Sequence, residues 1–379
     1  MTGVKTSINA TNTLIKWPGG KSREIQYFER LIPAYDRYIE PFFGGGAMFF
    51  HLKPKSALIN DISSNLMDFY SLVKEQNITF RETLTAYSVL IRDLLKACDE
   101  NSDELLRIYC DVKEGSSESA SLNRFVDTVC AKLDQLSVKR LIPALKAYKN
   151  QLGFCAKDKM LRTVRNEEKA PFSIADLREN LITGFMSGTY MYFRDIYNDI
   201  LLKRKPSVTR EYRIANFYFI REYCYGSMFR YNSNGEFNIP YGGMSYNRKD
   251  LKAKIDEMFC KETKELFSNT DIHCQDFEAF LSTVSLTEND FMFLDPPYDT
   301  DFSDYEGKDF TREDQKRLAE SLKKTKAKFI LIIKNTDFIY ALYEHDFHTL
   351  CFDKTYTYNV RSRNDRNAEH LIITNLPIE

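Results

Sequence analysis

The stretch IEPFFGGGAMFF, residues 39–50, decides how the first part of this chain folds. An apolar strand pattern runs into Gly44, Gly45 and Gly46, and a helical pattern follows. Glycines at such a junction let a ligand approach the backbone closely at a helix N-terminus. The G-x-G-x-x-G fingerprint is incomplete, because Phe49 replaces its third glycine. The stretch favours a ligand loop, with a tight structural turn as the alternative.

The next predicted strand supplies an acidic residue for the same ligand. It ends in LINDIS, residues 58–63, and Asp61 stands 21 residues after Glu40. This is about the spacing at which an acidic side chain meets a ribose hydroxyl in nucleotide-binding α/β folds. Together the two stretches predict an adenosine-containing ligand.

Similar β-α patterns recur at both ends of the chain and predict a doubly wound α/β sheet of about seven strands. The last two strands are expected to form an antiparallel pair. The predicted strands cover residues 38–42, 57–60, 272–274, 291–294, 329–333, 350–358 and 369–374.

The middle of the chain interrupts this alternation. Residues 79–180 are expected to be mostly helical, since FRETLTAYSVLIRDLLKAC (80–98) and NRFVDTVCAKLDQL (123–136) carry apolar residues at spacings of three and four. The loop KEGSSESAS (113–121) separates them. We therefore predict a catalytic domain formed by residues 1–75 and 265–379, with residues 76–264 as an inserted domain.

Composition limits the classes of protein. The chain has 379 residues, a net charge of −1, eight cysteines without a C-x-x-C pair and five histidines without metal-ligand spacing. The sequence MTGVKTSINATNT at its start lacks the apolar core of a signal peptide, and no apolar run is long enough to span a bilayer. A reduced cytoplasmic protein without structural zinc or a membrane segment is expected.

Charge is distributed unevenly along the chain. Residues 203–254 contain 11 Lys and Arg residues and four Asp and Glu residues, a local balance of +7, with aromatic residues between them. This pattern is typical of a surface that binds a polyanion. For LLKRK, residues 201–205, a solvated helical face is the alternative.

Two further motifs suit the binding of a cofactor and a planar base. In IKWPGGK, residues 15–21, Trp17 and Lys21 stand on either side of a turn. Trp17 could pack over a cofactor and Lys21 could bind its carboxylate; a structural turn is the alternative.

In NDFMFLDPPYDT, residues 289–300, the prolines end an apolar strand. Asp295 and the Pro296 carbonyl are two acceptors for an exocyclic amino group, and Tyr298 supplies a ring that stacks on a base. In isolation, DPPY would be a strand-ending turn.

KWPGGK, EPFFGGG, IND, QDF, DPPY and FTREDQKRLAE, in this order, resemble the Dam-like (alpha-group) DNA adenine-N6 methyltransferases, which use S-adenosyl-L-methionine. The resemblance covers both ends of the chain and residues 192–250, and leaves about residues 79–180 unmatched. It implies a Rossmann-like class I methyltransferase sheet with an inserted helical and hairpin target-recognition domain. It also implies double-stranded DNA as substrate and, in a restriction-modification context, a cognate restriction endonuclease as partner.

The resemblance also implies roles for single residues. Direct attack of N6 on the methyl group needs alignment rather than a metal, and the adenine must be flipped out of the duplex. The acidic run YDTDFSDYEGKD, residues 298–309, lacks the calcium-loop pattern, so no metal site is expected there. The catalytic residues would be Asp295, Pro296, Pro297 and Tyr298; the cofactor-binding residues Trp17, Lys21, Glu40, Pro41, Phe42, Gly44, Gly46, Asp61, Asp276, Phe277 and Asp295; and the DNA-binding residues Arg230, Asn232, Pro240, Met244, Arg248 and Lys249.

Residues 225–249 resemble the target-recognition hairpin of this family, with Asn234-Gly235 as a predicted two-residue turn. The chain departs from the Dam pattern at Gly226, where an asparagine is common, and at Met244, where an aromatic wedge would follow. Gly243 replaces a base-reading arginine, whose bidentate contact to guanine is worth about 1–3 kcal/mol. A recognition site other than GATC is therefore expected.

Three alternatives remain at this point. Two of them keep the site and change the substrate to an adenine in RNA or to N4 of a cytosine in DNA. The hairpin resemblance favours DNA over RNA, and DPPY fits adenine better than the serine-led variant common for cytosine. The third alternative is a catalytically silent DNA-binding regulator, which has little reason to retain Lys21, Asp61, Asp295, Pro296 and Tyr298 together.

Overall fold

A seven-stranded sheet organises both ends of this chain in a computed structural model that describes residues 13–22, 24–115, 119–204, 208–298, 310–355 and 367–377. The predicted α/β sheet and its final antiparallel pair are confirmed. The strands are β1 (Arg37–Glu40), β2 (Ala57–Asn60), β3 (Thr270–His273), β4 (Asp290–Leu294), β5 (Lys328–Lys334), β6 (His348–Thr355) and β7 (Asn367–Thr374).

The strand order is β3-β2-β1-β4-β5-β7-β6. Strands β1 to β5 run parallel, and β7 is antiparallel to both β5 and β6. From β1 the chain proceeds to β2 and β3 on one side, and β4 then pairs with β1 on the other. The order therefore reverses between β1 and β4, and ligands of open α/β sheets bind beyond the carboxyl ends of the strands at such a point.

Fifteen α-helices lie within the described residues. Several begin with a side-chain cap; for example, Thr311 and Asp314 form a capping box at the start of the helix 312–324. The helices are α1 (Ile25–Phe28), α2 (Ala47–Leu52), α3 (Ser64–Lys74), α4 (Ile78–Glu100), α5 (Ser102–Lys113), α6 (Ser119–Ala131), α7 (Gln135–Leu141), α8 (Leu145–Glu167), α9 (Ile174–Leu201), α10 (Arg210–Tyr223), α11 (Leu251–Met258), α12 (Lys261–Ser268), α13 (Phe277–Thr283), α14 (Arg312–Lys324) and α15 (Asp337–Tyr343).

The chain divides into two compact units, one formed by residues 1–74 and 261–379 and the other by residues 75–260. The first contains the sheet, whose inner parallel strands β1, β2, β4 and β5 are buried on both faces, as expected for parallel strands covered by helices. Among the described residues, no helix has both the length and the apolarity needed to cross a bilayer.

The second unit contains α4 to α11. A Cβ atom at Gly184 of α9 would lie 2.8 Å from Ala156 Cα of α8, and one at Gly188 would lie 2.9 Å from Leu152 Cα. These glycines therefore allow the two long helices to pack with their backbones in close approach.

The prediction that residues 79–180 are mostly helical is confirmed, with two corrections of detail. The predicted helix over residues 123–136 is divided, because α6 ends at Ala131 and Asp134 caps α7 by accepting from the Ser137 N–H. The predicted loop over residues 113–121 ends earlier, because α6 begins at Ser119; residues 116–118 lie outside the described residues. Helix also continues past residue 180 through α9 and α10, where many aromatic side chains are buried.

The predicted two-residue hairpin turn at Asn234-Gly235 is wrong in detail. The chain does reverse there, with bridges Tyr231↔Phe237 and Cys224↔Tyr241, but these are isolated bridges rather than strands. The Asn232 N–H donates to the Glu236 carbonyl at 2.9 Å, which leaves three residues in the loop. Gly235 has φ 75°, the left-handed conformation that commonly closes a three-residue hairpin loop.

Candidate active site

A cavity of about 290 Å³ lies at the carboxyl ends of β1, β2 and β4, within the first unit. All eleven residues predicted to bind the cofactor line it, and so do Pro296, Pro297 and Tyr298. The structure therefore brings together motifs that are separated by up to about 280 residues of sequence. Most of the acidic run falls in residues 299–309, outside the described residues.

The glycine loop between β1 and α2 forms one wall of the cavity. Gly44 has φ 50° and Gly46 has φ 68°, in the left-handed region that strains other residues. A Cβ at Gly44 would lie 2.9 Å from Trp17 Cδ1, and one at Gly46 would lie 2.6 Å from Phe43 Cζ. The loop needs glycine for both its conformation and its close packing, and the chain's only tryptophan packs against it.

Asp61 holds this loop by accepting backbone hydrogen bonds. The Gly44 N–H donates to Asp61 Oδ2 and the Ser63 N–H donates to Oδ1, each at 2.9 Å. The hydroxyl of buried Tyr70 donates to the Gly44 carbonyl at 3.1 Å. Asp61 therefore shapes the loop as well as lining the cavity, and Tyr70 is a supporting residue that the motifs did not indicate.

Asn60 is a second residue that the sequence reasoning missed. Its side-chain amide donates to the carbonyls of Pro41 (3.1 Å) and Gln275 (3.0 Å), and its Oδ1 accepts from the Gln275 N–H (3.0 Å). Asn60 is fully buried at the end of β2. It ties the segments that follow β1 and β3, and its only sequence signal is a polar residue at the end of an apolar strand in IND.

Glu40 is a buried carboxyl group at the end of β1. It accepts a 2.7 Å hydrogen bond from the hydroxyl of Tyr38, which is also buried. Burial raises the pKa of Glu40 well above its ordinary value; the Tyr38 bond opposes this shift, and nearby Asp295 and Asp61 add to it. Tyr38 thus fixes the orientation of a carboxyl group that faces the cavity.

Lys21 and Asp295 form an ion pair in the cavity wall. Lys21 Nζ lies 2.6 Å from Asp295 Oδ1 and 2.7 Å from Oδ2, and Lys21 is 3% exposed. Burial opposes the charge on Lys21, but attraction to Asp295, with smaller contributions from Tyr298 and Glu24, raises its pKa well above the ordinary value. The sequence predicted both residues at the site but not their direct contact.

Two other side chains hold the segment after β4. Gln315, fully buried on α14, donates from Nε2 to the Pro297 carbonyl at 3.1 Å. The Tyr298 hydroxyl lies 3.1 Å from Nε2 of His370, a fully buried residue of β7. Gln315 stands in the motif FTREDQKRLAE, which was a signal for it. Nothing in the sequence pointed to His370.

An aromatic cluster forms the other end of the cavity. Phe277 lies 5.3 Å from Phe42 and 5.7 Å from Phe310 between ring centroids. Asp276 caps α13, and its Oδ1 also accepts from Arg317 Nη2 at 2.7 Å. The cluster suits a flat heterocycle, and Asp276 supplies an acceptor beside it.

The residues present fit S-adenosylmethionine. The cavity offers an aromatic cluster for a flat base, a carboxylate at Asp61 for hydroxyl groups, and the backbone of the glycine loop. Asp295 and Tyr298 line the same cavity as this loop.

The predicted DNA-binding residues lie in the second unit and differ in their contacts. Arg230, Pro240 and Met244 are exposed, and Arg230 Nε donates to Asn238 Oδ1 at 2.7 Å. The Asn232 side chain is engaged within its own loop, donating to Glu236 Oε2 and accepting from the N–H groups of Asn234 and Glu236.

Arg248 and Lys249 have acidic partners in the same unit. Arg248 pairs with Asp99 and Glu179. Lys249 pairs at 3.1 Å with Glu222, which is fully buried and also binds Lys254. Both basic residues therefore have structural contacts, and their predicted phosphate contacts stay predictions.

Comparison with known proteins agrees with this geometry. The chain is 26% identical over 369 residues to "Type II methyltransferase M.CviBI" of Paramecium bursaria Chlorella virus NC1A, covering 96% of this chain and 98% of that protein. It is 27% identical over 349 residues to "Type II methyltransferase M.MjaIII" of Methanocaldococcus jannaschii, covering 87% of each. It is 24% identical over 324 residues to "DNA N-6-adenine-methyltransferase" of Escherichia phage P1, covering 84% of this chain and 29% of that protein.

The profile of the D12 class N6 adenine-specific DNA methyltransferases matches residues 17–123 and 157–358. This corrects the expectation that residues 79–180 lie outside the resemblance, since only residues 124–156 fall between the two matched segments. The match covers well over half of the chain. The chain therefore belongs to the D12 class of N6 adenine-specific DNA methyltransferases, enzymes that take their methyl group from S-adenosylmethionine.

Proposed function

We propose that this enzyme methylates an adenine flipped out of duplex DNA, at a recognition site other than GATC, and that Asp295, Pro296 and Tyr298 receive the base. One observation carries the proposal: Asp295, fixed by Lys21, lies at the carboxyl end of β4 and lines the same cavity as the glycine loop. We further propose that residues 1–75 and 265–379 carry out methyl transfer and that residues 76–264 recognise DNA.

In this proposal Asp295 and Pro296 act on the adenine amino group, and Tyr298 and Pro297 position the base. S-adenosylmethionine, when bound, supplies a methyl group on a positively charged sulfur. The Asp295 carboxylate and the Pro296 carbonyl accept hydrogen bonds from the two N6–H groups, which directs the nitrogen lone pair towards that methyl group. As N6 takes up the methyl group it becomes positive; the Asp295 carboxylate stabilises this charge and accepts the N6 proton that must leave. Tyr298 stacks on the base, and Pro297 keeps the segment rigid.

The cofactor-binding roles follow the positions in the cavity. We assign the methionine part of the cofactor to Trp17, Lys21 and the loop from Glu40 through Pro41 and Phe42 to Gly44 and Gly46. Asp61 would hold the ribose hydroxyls, and Asp276 with Phe277 would border the adenine. The left-handed conformation of the loop glycines and the fixed carboxylate of Asp61 support this assignment.

The backbone of Gly243 supports a specificity other than GATC. Gly243 has φ 90° and ψ −168°, a conformation that is essentially restricted to glycine. An arginine in this backbone conformation would be strained by about 1–3 kcal/mol. Glycine also lacks the side chain that would make the bidentate contact to guanine. We propose that Arg230, Pro240 and Met244 present the readout surface and that Asn232, Arg248 and Lys249 bind the DNA backbone or support that surface.

The test uses tritiated S-adenosylmethionine with a mixed-sequence duplex and, separately, an RNA pool. We expect label in N6-methyladenine of the duplex and none in RNA or in N4-methylcytosine. Label in RNA alone would overturn the proposed substrate. Sequencing of methylated adenines in DNA from expressing cells then gives the recognition site, and methylation confined to GATC would overturn the proposed specificity.

The site assignment is tested with Asp295→Ala and a matched control, Asp271→Ala, in which an exposed carboxylate on β3 is removed. We expect Asp295→Ala to lower kcat by about 10²-fold or more and the control to retain wild-type activity. Full methyl transfer by Asp295→Ala would contradict the assignment even if the substrate proved correct.

Localisation and further partners are also inferences. We infer a cytoplasmic enzyme, because the family's substrate is DNA. A cognate restriction endonuclease as partner stays a prediction, to be tested by cleavage protection of methylated DNA.

A further inference from the structure

We propose that His370 is a positioning residue that fixes the plane of the Tyr298 ring for stacking on the target base. The inference deepens the proposed function and rests on the proposed role of Tyr298. His370 is fully buried, and no sequence motif indicated a role for it.

The contact joins the segment after β4 to β7, and β5 lies between these two strands in the sheet. Tyr298 follows β4 by four residues, and its hydroxyl lies 3.1 Å from Nε2 of His370 on β7. The ring centroids are 5.6 Å apart and the planes meet at 61°, an edge-on arrangement. The Tyr298 ring is therefore held both at its hydroxyl and along its edge.

His370 is well placed to restrain another group. It pairs with Lys334 of β5 in the ladder, and β7 lies between β5 and β6. A side chain on an inner strand is held more firmly than one on a loop, and a ring positioned in advance loses less freedom when the base binds. In contrast, Tyr298 lies in the irregular segment after β4 and is only partly buried.

The chemistry of the pair is simple. Each group can donate or accept a hydrogen bond, so the tautomer of His370 decides whether the Tyr298 hydroxyl donates to Nε2 or accepts from it. On the other side of the segment, Lys21 Nζ lies 5.3 Å from the centroid of the Tyr298 ring and also binds Asp295. The position of the ring is thus linked to the same lysine that fixes the proposed acceptor carboxylate.

A double-mutant cycle separates this role from simple core packing. The variants are His370→Phe, Tyr298→Phe and the double variant, because phenylalanine keeps a ring at each site and removes the hydrogen bond. We expect each single variant to lower kcat/KM for DNA by about 3- to 10-fold, the effect of releasing one restrained side chain, and the double variant to be no worse than Tyr298→Phe alone. For all three variants, the Kd for S-adenosylmethionine should stay within about twofold of the wild-type value.

The outcomes that overturn the inference are distinct. If the loss caused by His370→Phe is as large in the Tyr298→Phe background as in the wild type, His370 acts through packing alone. Wild-type activity of His370→Phe would also refute it. Should His370→Phe fail to fold, His370→Gln in both backgrounds replaces it, since the amide keeps an acceptor and should retain more activity than Tyr298→Phe.

A further variant, Tyr298→Ala, tests the proposed function separately from the role of His370. Tyr298→Ala removes the stacking ring altogether, so full activity of this variant would contradict the role of Tyr298 itself. A large loss in Tyr298→Ala together with an additive cycle would leave the proposed function intact and reject only the role of His370.

Discussion

Replacing Lys21 with methionine should destabilise the first unit and abolish efficient methyl transfer. The substitution removes the ammonium group that lies 2.6 and 2.7 Å from the two carboxylate oxygens of Asp295. Removing one partner of a buried pair costs about 3–5 kcal/mol, and the lower end applies because Asp295 is 20% exposed. At about 2–4 °C per kcal/mol for a unit of this size, Tm should fall by about 6–12 °C.

The pH dependence follows from the direction of the shift. The pKa of Lys21 is raised, so the stabilisation is fully present below its unfolded value of about 10.5 and is lost only as the pH rises through the folded value. The wild type and Lys21→Met should therefore differ in Tm by a constant amount between about pH 6 and pH 9, with the difference shrinking above about pH 10.5.

Thermal melting across this pH range, the rate of methyl transfer and calorimetric binding of S-adenosylmethionine provide the three measurements. Lys55→Met, which removes an exposed lysine from the same unit, is the matched control and should melt like the wild type. A Lys21→Met protein that melts within about 2 °C of the wild type and transfers methyl groups at the wild-type rate would refute the reasoning.

Four further outcomes are expected. Gly46→Ala should weaken S-adenosylmethionine binding by at least about 10-fold in calorimetry, because its Cβ would meet Phe43 Cζ at 2.6 Å. The control Gly153→Ala in α8, whose Cβ would lie no nearer than 3.7 Å to other atoms and which does not line the cavity, should bind within about twofold of the wild type. Gln315→Met should lower kcat by about 5- to 10-fold with cofactor affinity unchanged, since it removes the donor to the Pro297 carbonyl and keeps the volume; an unaltered kcat would contradict that role. Arg37→Met should lower the free energy of unfolding at neutral pH. Burial opposes the ionisation of Asp290, but hydrogen bonds from Arg37 and Thr287 outweigh it and lower the pKa of this carboxyl group. The stabilisation is therefore lost as the pH falls below about 4, and the wild type and the variant should converge in acid denaturation. Arg230→Ala should lose site preference in a methylation assay on mixed duplexes while retaining cofactor binding, and an unchanged preference would show that residues 225–249 are not the reading segment.

Local signals were sufficient for much of the fold. The seven strands were predictable because apolar runs bounded by Gly and Pro are set by short-range chemistry, as at β4, where two prolines follow Asp295. The loop over residues 232–236 was less predictable. Asn234-Gly235 favours a two-residue turn, but the side chain of Asn232 binds the N–H groups of both Asn234 and Glu236 and widens the loop to three residues.

The sequence alone determined which residue types stand at the ends of strands, and hence that Glu40, Gly44, Asp61 and Asp295 share one edge of a sheet. Parallel strands bring their carboxyl ends together whatever the distance along the chain.

Only the tertiary structure decided which side chains hold those residues in place. Asn60, Gln315 and His370 act through contacts across 18 to 215 positions of sequence. Such contacts depend on strand order and on helix packing, which no local pattern encodes. The residues that line the cavity were therefore predictable from their motifs, whereas the contacts that hold them in place come from the packed sheet.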